Sequence, residues 1–74
     1  MPDHFKIAVR QFRSAIRHLD EAVIRLENAA KHFFYASDFG TQKDICEAKK
    51  RIAEEIIPGL MKSLEKIIGP QDRN

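Results

Sequence analysis

Tryptophan is absent from this 74-residue sequence, and cysteine and tyrosine occur once each. A single cysteine excludes an internal disulfide framework and any cysteine-only zinc site. The three glycines are scattered, so no glycine-rich phosphate loop is present. No apolar run exceeds four residues, so no segment reads as a membrane span. No apolar stretch follows Met1-Pro2-Asp3-His4; no signal peptide is expected, and the expected setting is cytoplasmic. A dominant charge is also lacking. Thirteen Lys and Arg against eleven Asp and Glu leave +2, too mild a balance to name a partner. With 43% apolar and 32% charged residues, the chain is expected to form one small domain over 1–74. It is too short for two folded domains or a large enzyme scaffold.

What is present is a heptad repeat. Counted in sevens from Phe5, position a carries Phe5, Phe12, Leu19, Leu26 and Phe33. Position d carries Ala8, Ala15, Ala22, Ala29 and Ala36, and position e carries Val9, Ile16, Val23 and Ala30. Five repeats without a slip predict one long helix, about 3–36, with Asp3 as N-cap. Alanine at every d invites close approach of a neighbouring helix, and the added e column widens the stripe to that of a bundle. Ser37, Asp38 and Gly40 supply turn chemistry over 37–41, with Gly40 the residue suited to a left-handed conformation. Thr41 is the expected N-cap of a second helix, about 42–68, followed by a tail at 69–74.

In the second helix Ile45, Ala48, Ile52, Ile56, Leu60, Leu64 and Ile67 form one helical stripe. Ala53, Ile57, Met61 and Ile68 form another beside it. Pro58 removes an amide donor and crowds the Glu54 carbonyl, so the helix either kinks there or a third helix starts. The kinked continuous helix is the expectation, because the apolar stripe crosses Pro58 without losing phase and no polar loop residues flank it. The fold class expected is all-α: a long antiparallel helical hairpin, pairing with a second copy as a four-helix bundle. The alternative is a monomeric three-helix bundle broken at Pro58.

Three groups of residues carry the functional expectations. Lys6, Arg10, Arg13 and Arg17 occupy b and f, opposite the a/d seam, and form a basic face able to meet phosphates. Phe34, Tyr35 and Phe39 cluster at the hairpin end, either plugging it or offering aromatic anchors to a partner. Ile57, Met61 and Ile68, in the strongly apolar second half, complete the expected partner-binding set. The histidines offer no metal site: His4, His18 and His32 recur every fourteen residues, about 21 Å along a helix. Cys46 reads as a spectator thiol. No nucleophile–base pair is visible, so neither catalysis nor a cofactor is expected.

Three resemblances bear on function. Arg13-Ser14-Ala15-Ile16-Arg17-His18 is similar to the Arg-x4-His pattern of the HEPN ribonucleases. Those domains are larger bundles, and the rest of the chain shows nothing of them, so the match is read as chance. In size and architecture the chain resembles the Rop-type RNA-binding hairpins, and Asp44-Ile45-Cys46-Glu47 looks like the opening of their second helix. The first helix here is longer with a different core pattern, and no family is assigned. That resemblance implies a dimeric bundle holding folded RNA on Lys6, Arg10, Arg13 and Arg17. The secreted WXG hairpins are similar in shape, but their tryptophan is missing here. The expected function is therefore a non-catalytic protein–protein assembly module acting as a homodimer with a further, unidentified protein partner. Nucleic-acid binding on the basic face is the alternative.

Overall fold

The structure is a computed structural model that describes residues 3–69. Met1, Pro2 and the part of the expected tail beyond Gly69 lie outside the described residues. The chain is all-helical: α1 (His4–Tyr35), α2 (Phe39–Arg51), a π-helical turn (Ile52–Ile56) and α3 (Ile57–Ile68). Backbone angles stay in the right-handed helical region at Arg51, Ile52, Ile56 and Ile57. Thus α2, the π turn and α3 form one long second rod, antiparallel to α1, and the chain does not double back at Pro58. The body measures 54 × 23 × 18 Å.

Asp3 caps α1 as its side chain predicts, accepting from the N–H groups of Phe5 (3.0 Å) and Lys6 (3.3 Å). The turn differs from expectation. Ser37, not Gly40, takes the left-handed conformation, with φ 62°. The Asp38 N–H donates to the Phe33 carbonyl (2.9 Å) and the Ser37 N–H to the Phe34 carbonyl (3.0 Å). This is the Schellman pattern, with serine where glycine is usual. Asp38, not Thr41, caps the next helix: its carboxylate accepts from the Thr41 N–H (3.1 Å) and hydroxyl (2.8 Å). An ionised carboxylate suits the positive helix start better than a hydroxyl does. The second helix therefore begins three residues earlier than expected, and Gly40 lies inside it.

Pro58 produces a π turn. Its ring cannot donate an amide hydrogen, and it would clash with the Glu54 carbonyl of a regular helix. The ladder before it loosens instead: the Ile57 N–H reaches back five residues to the Ile52 carbonyl. The inward line of the second rod shows the extra residue. It runs Ile45, Lys49, Ile52, then Ile57, Leu60, Leu64 and Ile68, all buried or half-buried. The step from Ile52 to Ile57 is five. The two expected stripes are thereby spliced, the seam following the first stripe up to Ile52 and drawing on both beyond it. Ile56 and Ile67 of the first stripe are left 45% and 46% exposed.

The first rod responds at the same level. Near the turn, Ala22 and Ala29 at d are half-buried beside Leu26 and buried Ala30. Ala22 and Ile52 both lie about 20 Å from the turn at 1.5 Å per residue. Beyond that level the seam narrows to a and e: Val9, Phe12, Ile16 and Leu19 are covered, whereas Ala8 and Ala15 are exposed. Among the described residues only Ile16 (8% exposed), Ala30 (5%) and Ile57 (8%) are buried hydrophobics.

Two expected partner-binding residues are separated by this geometry. Ile57 lies inside the hairpin, and Met61 is 49% exposed. Ile57→Ala is expected to lower unfolding free energy by about 2–4 kcal/mol, and Met61→Ala by less than about 1 kcal/mol, in urea titrations of the two variants.

Candidate functional site

At 100° per residue, a helix face is fixed by the residues already known to be inside. On α1 the buried line passes through Val9, Phe12, Ile16 and Leu19. Lys6, Arg10, Arg13 and Arg17 lie on one flank of it, and Ala8, Ala15 and Ala22 lie on the other. The four cations line a shallow groove together with Phe5, Val9, Ser14 and Ile68. They sit at the rim of the hairpin seam and not opposite it, because the seam at this end has moved onto the e column. Their side chains are exposed, and Val9 and Ile68 give the groove an apolar floor. Ile68, an expected partner-binding residue, is half-buried there.

The aromatic cluster caps the turn end. Phe34 meets Phe39 edge-on at 5.6 Å between ring centroids and Tyr35 at 6.0 Å, and Tyr35 meets His32 at 6.4 Å. Such edge-to-face contacts contribute about 0.5–1.5 kcal/mol each beyond area burial. They order the tip without covering it: Phe34, Tyr35 and Phe39 are all exposed, Tyr35 to 67%. Plug and patch are thus one arrangement, with the rings supporting one another and keeping their outer faces open.

A third surface, not singled out from the sequence, surrounds the π turn. Ala48, Ile52 and Ile56 floor a groove rimmed by Asp44, Glu47, Glu54 and Glu55, with Lys50 and Arg51. Its rim is net negative, opposite in sign to the α1 groove. The signal for it is the pair of adjacent isoleucines, Ile56-Ile57: one must leave the seam once Pro58 shifts the helical phase.

Other polar groups are dispersed. His4, His18 and His32 are exposed. His18 Nδ1 lies 3.8 Å from Glu21 Oε2, an exposed pair of small energetic consequence. Lys49 Nζ and Glu27 Oε1, 3.6 Å apart, tie the second rod to α1 near the turn. Arg13 and His18 diverge by about 140° on one helix, so the Arg-x4-His pattern does not converge on a shared point. Cys46 is half-buried and unpaired. No group of three or more His, Cys, Asp or Glu among the described residues is placed to hold a metal ion. No helix among the described residues is long and apolar enough to cross a membrane. Comparison of the chain with family models, curated proteins and solved structures found no match.

Proposed function

We propose that this protein is a non-catalytic helical assembly module that acts as a homodimer, each hairpin supplying half of a four-helix bundle. One observation carries the reading: among the described residues, ten large hydrophobic side chains, Ile56, Met61 and Ile67 included, stay more than a third exposed in the single hairpin, whose total surface is large for its mass. It exposes 6073 Å², against about 4,700 Å² for a compact monomer of 8.6 kDa. The excess, roughly 1,400 Å², is in the range one partner contributes to a stable homodimer interface. The radius of gyration of 16.3 Å, against about 11 Å for a compact domain of this length, describes the same half-built body.

In this reading the exposed rings of Phe34, Tyr35 and Phe39 form a tip that engages a further protein partner, since aromatic anchors dominate binding energy. The proposed setting is cytoplasmic, where the lone Cys46 thiol stays reduced. Sedimentation equilibrium tests the homodimer. The expected mass is twice 8.6 kDa at micromolar concentration; a single 8.6 kDa species at about 100 µM contradicts it.

A second reading has its own observation, the gathering of Lys6, Arg10, Arg13 and Arg17 along one groove. Cations set in a row above an apolar floor suit a nucleic-acid backbone. That reading predicts binding of duplex or hairpin RNA that weakens steeply between about 50 and 200 mM salt. It also predicts loss of that binding when all four residues become alanine. Retention of binding by the quadruple variant removes the groove from consideration.

A further inference from the structure

We infer that the second copy docks on the flank formed by Ala8, Ala15 and Ala22 of α1 with Ala48, Ile56 and Ile67 of the second rod. The twofold axis runs along the hairpin's length, so that both turns lie at one end. This rests on the homodimer reading and specifies its surface and arrangement.

The six residues belong to one broad face. Ala8, Ala15 and Ala22 are displaced in one rotational sense from the buried line of α1. Ala48, Ile56 and Ile67 are displaced in the same sense from the buried line of the second rod. In an antiparallel pair of right-handed helices, equal senses of displacement fall on the same side of the plane containing both axes. All except half-buried Ala22 are exposed in the single chain. The opposite face carries Lys6, Arg10, Arg13 and Arg17. A twofold contact presents the same patch from both copies, so pairing through that face would stack eight like charges. The alanine–isoleucine face has no such penalty and holds the apolar area that a dimer has to cover.

Size and charge select the orientation. With the axis along the hairpin, α1 of one copy lies over the second rod of the other at an unchanged level. Measured at about 1.5 Å per residue from Tyr35 and Phe39, Ala8 is then level with Ile67, and Ala15 and Ala22 fall on either side of Ile56. Each small residue meets a large one, and the layers interdigitate. An axis across the hairpin sets alanine against alanine and isoleucine against isoleucine, leaving a gap beside a bulge. Charge agrees. Beyond the alanines, the outer edge of α1 carries His4, Gln11, His18, Arg25 and His32, with the Glu21 carboxylate 3.8 Å from His18, so this edge has no net negative charge. The rim around Ala48 and Ile56 holds four carboxylates against two cations. The lengthwise axis brings these unlike edges together, and the crosswise axis brings like edges together.

Sedimentation equilibrium on three variants tests the face. Ala15→Glu and Ile56→Glu are each expected to raise the dimer dissociation constant at least tenfold, with circular dichroism showing full helix once the protein concentration exceeds the raised constant. Arg10→Glu on the opposite flank is expected to leave the dimer intact. A disulfide assay in the Cys46→Ser background tests the orientation without burying charge. When Ala8→Cys chains are mixed with Ile67→Cys chains and oxidised, 8–67 heterodisulfides should exceed both homodisulfides. A dimer unaffected by Ala15→Glu and Ile56→Glu overturns the docking face and leaves the homodimer standing. Absence of the 8–67 product overturns the turn-to-turn arrangement. A monomeric wild-type chain overturns the homodimer itself.

Discussion

One missing amide hydrogen governs the shape of this molecule. Pro58 cannot donate into the helical ladder, and its ring cannot sit beside the Glu54 carbonyl. The second rod accommodates it by taking an extra residue into one turn, from Ile52 to Ile57. The added residue rotates everything downstream relative to α1. Up to Ile52 the hairpin closes over the a, d and e columns of α1. Past that level it closes over a and e alone, and the d alanines on one rod and Ile56 and Ile67 on the other turn outward together. A π turn in an otherwise regular helix is a frequent mark of function. Here its effect is to open an apolar flank that a straight helix would have closed.

The two flanks of the hairpin consequently have different chemistry. One is alanine and isoleucine, bordered on α1 by histidines, Gln11, Arg25 and Glu21 with no net negative charge and on the second rod by a net negative rim. The other is a groove with four cations. The proposed dimer uses the first and leaves the second on the outside of the bundle, twice over. The assembly reading and the nucleic-acid reading therefore do not compete for surface. The aromatic tip is separate from both, and with the turns at one end the two tips become neighbours.

Much of this fold was legible in the sequence. The unbroken heptads of residues 5–36 specify the long first helix, Asp3 its start, and the Ser37–Gly40 region its reversal. The finer turn chemistry was hidden because the region holds two competent caps, Asp38 and Thr41, and two residues able to turn, Ser37 and Gly40. Only the backbone shows that Ser37 and Asp38 were used. The seam of the second rod was hidden for a related reason. Ile56-Ile57 and Ile67-Ile68 are doublets, so the apolar pattern reads equally well in two phases, and Pro58 decides between them. The four cations were found from the sequence. Their position beside an apolar groove was not, because it depends on the seam having moved onto Val9 and Ile16. The acidic groove around Ile56 follows from the π turn, and its one trace in the sequence is the Ile56-Ile57 doublet ahead of Pro58.

In the proposed dimer the two hairpins share one core, which couples folding to pairing. The most direct test of that coupling is the dependence of unfolding on protein concentration, followed by circular dichroism in urea from about 1 to 100 µM. If folding and pairing are one event, the midpoint rises with concentration, gaining about 2.7 kcal/mol of stability over that hundredfold range. A cooperative transition whose midpoint does not move across the range would show a self-sufficient hairpin and rule out that coupling.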